Sequence, residues 1–194
     1  MGWGIVRLTP TRVLVVGGGA TEGADARLEL FDAATLHSEF LAQTLLEARD
    51  NPTASLLPDG RVLVVGGGFT HNMVHQTRRT AEVQDLQRGS STLIALPHGL
   101  DFHTTTVLPD GRAVVVGGCE TGPDPMHTLD QVLLLDPVAG TVKQIATLPQ
   151  PLAGHTATLL SDGSILIAGG TGDVAMASVD YRFYPAVAER MQSN

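Results

Sequence analysis

Seven histidines lie among the 194 residues, and their spacing is the first place to look for chemistry. His71 and His75 stand four apart, which puts two imidazoles on one face wherever that stretch forms a helical turn. Cys119, Glu120 and His127 lie in a second polar stretch, and thiolate, carboxylate and imidazole are all transition-metal donors. Arg78 and Arg79 offer adjacent guanidinium forks suited to a carboxylate or a sugar acid. His103 and His155 each precede an Asp-Gly pair by seven residues, ahead of Asp110 and Asp162, so two imidazoles recur at matching places. The candidate ligand-binding set is therefore His71, His75, Arg78, Arg79, His103, Glu120, His127 and His155. No group of them reaches a full ligand set with fixed carboxylates, so no metal is expected. His103 and His155 are read more simply as links that hydrogen-bond a neighbouring loop, because buried polar groups must be paired. Nothing marks a nucleophile elbow, so no catalytic residue and no cofactor is assigned.

The elements that carry these residues repeat. Arg12-Val-Leu-Val-Val-Gly-Gly, Arg61-Val-Leu-Val-Val-Gly-Gly, Arg112-Ala-Val-Val-Val-Gly-Gly and Ser164-Ile-Leu-Ile-Ala-Gly-Gly share one design. Their first glycines, Gly17, Gly66, Gly117 and Gly169, are 49, 51 and 52 residues apart. Asp59-Gly60, Asp110-Gly111 and Asp162-Gly163 precede three of the runs, and Asp-Gly between apolar runs predicts a hairpin with a primed turn. In the first copy Thr9-Pro10-Thr11 stands in that place. Upstream strands are expected at Gly4–Leu8, Thr53–Leu57, Thr104–Leu108 and Thr156–Leu160. Third strands are expected at Arg27–Phe31, Ala81–Leu86, Gln131–Leu135 and Ser178–Tyr184. Fourth strands follow near Ser38–Leu45, Ser91–Leu96 and Thr141–Leu148, whereas Ala186–Asn194 is short and polar, so the last unit lacks its outer strand.

A period of about 50 residues is that of the kelch repeat, and the Asp-Gly-Arg-Val-Leu-Val-Val-Gly-Gly run resembles bacterial kelch repeats, including those of galactose-oxidase-like proteins. The resemblance covers essentially the whole chain. It implies an all-β, kelch-type β-propeller of four blades of four-stranded antiparallel sheet, the last incomplete, either closed alone or forming part of a larger ring. One domain, 1–194, is expected, with repeats at approximately 3–51, 52–102, 103–154 and 155–194. The sequence departs from the family at the aromatic positions: Phe31, Leu86, Leu135 and Tyr184 stand where a Tyr is usual, and the only tryptophan is Trp3. In such a fold the strand 2–3 loops and the connections between blades share one end, and loops on a rigid scaffold carry function. Two of these loops are long, Gly68–Thr80 and Cys119–Thr128, and they belong to consecutive units, so they are expected to be neighbours.

Gly17-Gly18-Gly19-Ala20-Thr21-Glu22-Gly23 misses the spacing of a dinucleotide fingerprint, and a strand follows it where a helix is required. The glycines are read as points of close packing. A net charge of −8 argues against nucleic acid. No apolar run is long enough for a membrane span. No signal peptide is visible, which suggests a cytoplasmic protein or a mature or excised segment. One cysteine cannot form an internal bridge. The expected function is a non-catalytic binding module whose protein or glycan ligand meets the loop end. The alternative is a carbohydrate-active enzyme of the sugar oxidase or sialic acid epimerase type. Open blade edges further suggest a homo-oligomer.

Overall fold

The structure is a computed structural model that describes residues 2–19, 23–71, 74–121, 127–172 and 182–184. Within them the chain forms strands and turns and no helix. Sheet 1 contains β1 (Gly4–Arg7), β2 (Arg12–Val16), β3 (Asp25–Asp32) and β4 (His37–Arg49) in chain order. Sheet 2 uses β5 (Thr53–Leu56) and β6 (Val62–Val65); a hairpin, β7 (Gly68–His71) and β8 (Val74–Thr77), then precedes its remaining strands, β9 (Thr80–Asp85) and β10 (Ser90–Ala95). Sheet 3 has the same plan: β11 (Thr104–Val107), β12 (Ala113–Val116), the hairpin β13 (Cys119–Glu120) and β14 (His127–Thr128), then β15 (Gln131–Asp136) and β16 (Thr141–Thr147). Sheet 4 has three strands among the described residues, β17 (Thr156–Leu159), β18 (Ile165–Ala168) and β19 (Arg182–Tyr184). All pairings are antiparallel. The expected third strand at Ser178–Tyr184 is described only from Arg182, and Ala186–Asn194 lies outside the described residues.

Side chains alternate across a strand, and this alternation stacks the sheets. In β6, Val62 and Val64 face sheet 1, where they join Leu14, Val16, Leu28 and Leu45. Leu63 and Val65 face the other way, toward Ala113, Val115, Leu133 and Leu135 of sheet 3. Val114 and Val116 then turn to Ile165 and Ile167 of sheet 4. The Val-rich second strands of the middle sheets are thus buried on both faces, which explains their unbroken apolar sequence. Three cores result, one between each successive pair of sheets.

The turns differ from the expected primed type. Gly60 N–H donates to Leu57 O at 2.9 Å and only the glycine has positive φ, so the turn is an ordinary one closed by a left-handed glycine. Asp59 caps it by accepting from Arg61 N–H at 3.1 Å, and in the first unit Thr9 Oγ1 does the same for Arg12 N–H at 3.0 Å.

The glycine pairs have a specific job. Gly18, Gly67 and Gly118 N–H donate at 2.7–2.8 Å to Arg49, Leu100 and Leu152 O, in the segments that lead into the next sheet. A Cβ at Gly17, Gly66 or Gly117 would lie 2.2–2.4 Å from those same carbonyls, so the chain can cross there only over glycine.

Candidate functional site

At each crossing the linking segment adds one bridge: Asp50 to Gly68, Asp101 to Cys119 and Ala153 to Thr171. The following residue takes a left-handed conformation, with φ of 57° at Asn51, 52° at Phe102 and 67° at Gly154. At the middle crossing, Asp101 N–H donates to Cys119 O at 2.9 Å and Cys119 N–H to Asp101 O at 2.8 Å. This bridge sets Asp101 beside Cys119, with Glu120 running on toward Gly99 and Phe102 running on the other way, and most of the chemistry of the loop end gathers around it.

The Asp101 side chain is buried. Its Oδ2 lies 2.9 Å from His75 Nε2, and Asn51 Nδ2 donates to Oδ1. Burial raises the Asp101 carboxyl above its ordinary range, against the hydrogen bonds from Asn51, Phe102 N–H and His75. On the other side of the ring, His75 Nδ1 is 3.4 Å from Thr70 Oγ1. A buried carboxylate therefore orients a half-exposed imidazole, the arrangement that fixes which ring nitrogen carries the proton.

Glu120 centres a second group. Its Oε1 accepts from Gly99 N–H at 2.9 Å, and its Oε2 lies 3.0 Å from His98 Nδ1. Arg79 Nη1 and His127 Nε2 each approach Glu120 to 3.9 Å. Burial alone would raise the Glu120 carboxyl, but the Gly99 N–H, His98 and Arg79 outweigh it and hold the carboxyl below its ordinary range. Glu120 is mostly covered, whereas Arg79, His98 and His127 are exposed. One anchored carboxylate thus carries a fringe of accessible donors.

Beside this group, Phe102, Cys119, Thr128, Ala153, Gly154, Thr171 and Gly172 line an open cavity of about 450 Å³. Phe102 is 52% exposed.

The candidate residues thus divide. The two long loops are neighbours, joined where Thr77 Oγ1 meets both the N–H and the O of Thr121 at 3.2 and 3.3 Å. Both contain β-hairpins, so the helical turn that would put His71 and His75 on one face does not form: His75 pairs with Thr70, and His71 with Val74. Arg79, Glu120 and His127 come together. Arg78 does not join them; its Nε donates to Ala48 O at 3.1 Å and its guanidinium lies 4.1 Å from the centre of the Phe69 ring.

His103 and His155 are buried between sheets, beside the glycine pairs Gly66-Gly67 and Gly117-Gly118 and not in the exposed loops. Their Nε2 atoms lie 3.0 Å from Thr53 Oγ1 and 2.9 Å from Thr104 Oγ1, on the first strand of the preceding sheet. They are links, as a hydrogen-bonding histidine would be, but to a strand and not to a loop. Burial is the main cause that lowers His103 to about 3 and His155 to about 4. Asn51, His98, Asp101 and Phe102 were not singled out from the sequence. The signal available was the repeat itself, since Asn51 and Phe102 occupy one position of it. Among the described residues no group of three or more His, Cys, Asp and Glu could hold a metal ion.

No protein-family model matches the chain, and no curated protein does. No helix among the described residues is long and apolar enough to cross a membrane. Solved structures do match: the chain is similar in fold to the structure of YjhT, with a TM-score of 0.66 at 15% identity, and the match covers 96% of this chain and 66% of that one.

Proposed function

We propose that the chain is four blades of a kelch-type β-propeller, and that it is a non-catalytic binding module for a carboxylate-bearing glycan. The observation that carries this reading is the group around Glu120, a mostly covered carboxylate that holds the exposed donors Arg79, His98 and His127 around it. Glycan recognition combines an apolar ring face with a few converging polar groups. Phe102 supplies the ring, the exposed Arg79 guanidinium suits a carboxylate, and His98 and His127 suit hydroxyls. The four glycine-pair runs at a spacing of 49 to 52 residues support the kelch reading. The test is a panel of glycans ending in sialic or uronic acids. Wild-type protein should bind a subset, and R79A and F102A should each reduce affinity at least about tenfold, the loss expected for removing one central contact. Binding unchanged in both variants, or no acidic glycan bound at all, would defeat the assignment.

A second reading, an enzyme of the sialic acid epimerase type, is favoured by the His75–Asp101 pair. An imidazole oriented by a buried carboxylate can take and return a proton at a sugar carbon or ring hydroxyl. Interconversion of the two anomers of a free sugar acid, followed by NMR, should be accelerated by wild type and not by H75A if this reading holds. Equal rates with wild type and H75A would reject it.

A further inference from the structure

Sheets 2, 3 and 4 each bury one face against the sheet before them. Sheet 1 has the equivalent face, and none of the other described sheets covers it. Across it run two rows: Ile5, Val15, Glu29 and Phe40, then Arg7, Val13, Phe31 and Ser38. The opposite face of the same sheet, with Val6, Leu14, Val16 and Leu28, is packed against sheet 2. Ile5 is 63% and Phe40 56% exposed, with the Arg27 guanidinium 4.3 Å over the Phe40 ring. Trp3, at the position held by His103 and His155 in their sheets, is 57% exposed. A contiguous exposed apolar patch marks an interaction face, and Ile5, Val15, Phe40, Val13 and Phe31 make this face largely apolar.

Sheet 4 offers the matching surface. In sheets 2 and 3 the face that covers the next sheet pairs Thr53 with Val65 and Ser55 with Leu63, then Thr104 with Val116 and Thr106 with Val114. Sheet 4 repeats it, pairing Thr156 with Ala168 and Thr158 with Leu166. Here Thr156 and Thr158 are exposed, and Leu166 and Ala168 are only partly covered. The contacts are periodic as well. Thr53 meets His103 and Thr105, and Thr104 meets His155, so the next partners of Thr156 in the series would be residues equivalent to Trp3 and Ile5.

We infer that a second copy of this chain docks head to tail, the free face of its sheet 4 covering Trp3, Ile5, Val13, Val15 and Phe31 of sheet 1, and that two copies close on each other through two such contacts. The contact uses sheet faces, not the strand edges that open blades would suggest. It is heterologous, with two different surfaces in each contact, and such contacts can close into a ring.

The test uses the full chain and light scattering across a concentration series. Wild type should have the mass of two chains. I5E, on sheet 1, and T158R, on sheet 4, should each have the mass of one, with the far-ultraviolet circular dichroism of wild type. Each variant keeps the surface that the other has lost. An equimolar mixture of I5E and T158R should therefore recover a two-chain species through a single contact. Wild type at the mass of one chain at all concentrations, or growing without limit, overturns the inference. So does T158R at the mass of two chains, which would mean that sheet 1 pairs with itself. Neither substitution touches Arg79 or Phe102, so a failure here is separable from a failure of the glycan assignment.

Discussion

Replacing His103 with glutamine tests whether the inter-sheet histidines stay neutral in the fold. In the folded chain His103 is pushed down to about 3 and His155 to about 4, chiefly by burial. An unfolded histidine titrates near 6.5. Below that value the unfolded chain binds protons that the folded chain refuses, so stability falls as pH drops from about 6.5 toward the folded values. Between pH 7 and pH 5 the loss is about 2 kcal/mol for each histidine, because one pH unit of differential protonation is worth about 1.4 kcal/mol. The pair therefore removes about 4 kcal/mol from a total that is ordinarily about 5–15 kcal/mol.

Other groups also titrate. Asp101 and Glu82, raised by burial, gain stability as pH falls. Asp59, Asp85, Asp110 and Glu120, held low by partners, lose it as pH falls into the carboxylate range. All of these are present in H103Q too, so the difference between wild type and variant isolates His103. The amide of glutamine can still reach Thr53, and it does not titrate. Urea unfolding at pH 7, 6 and 5 is the assay. The stability difference between wild type and H103Q should narrow by about 2 kcal/mol on going from pH 7 to pH 5, which at an ordinary urea slope is a midpoint shift of about 1 M. A difference that stays constant with pH would refute the reasoning, since His103 would then be protonated equally in both states.

Alanine at Gly117, where a Cβ would lie 2.2 Å from Leu152 O at a φ of +54°, should lower stability by about 3 kcal/mol or more, whereas alanine at Gly60, at a φ of +87° with nothing within 4 Å of its Cβ, should cost only the left-handed strain of about 1 kcal/mol; thermal or urea unfolding of the two variants checks the contrast. Arg49 is fully buried between sheets 1 and 2, donating to Gly66 O at 2.9 Å and Thr80 O at 2.8 Å, with its Nη2 3.7 Å from Glu82 Oε2. R49M should cost about 3–5 kcal/mol by leaving Glu82 buried without its counter-charge, and E82Q in that background should recover part of the loss; a double-mutant cycle measures it. Phe102 holds a left-handed φ of 52°, so F102G should leave stability unchanged or raise it by about 1 kcal/mol while weakening glycan binding, read by urea unfolding beside a binding titration.

The strands were legible because their pattern is local. Val62-Leu63-Val64-Val65 and Ala113-Val114-Val115-Val116 read as buried strands, and each lies within a residue or so of its expected span. The all-β antiparallel architecture followed. The hairpins inside the two long loops were not legible. Gly68-Phe69-Thr70-His71 carries no alternation, and its strand form depends on contacts outside the loop: Gly68 N–H donates to Asp50 O at 2.7 Å. The fate of His103 was hidden for a different reason. Only the position of Thr53, fifty residues away, decides whether that imidazole meets a partner or solvent.

That dependence also separates scaffold from site. The position before each first strand is filled by Trp3, Pro52, His103 and His155 in turn, and in the last two the side chain reaches back to the preceding sheet. An imidazole there is consumed by the interface it closes, so recurrence in the repeat is evidence against an accessible role. Accessible chemistry requires residues that no neighbouring sheet covers. These are found where the repeat is interrupted, in the β7–β8 and β13–β14 hairpins that carry His75, Glu120 and His127, and on the exposed face of sheet 1, at Trp3. The first group can serve a small ligand, because a covered Glu120 holds exposed donors around it. The second can serve only a surface of its own kind, because its register is already that of the three interfaces beside it.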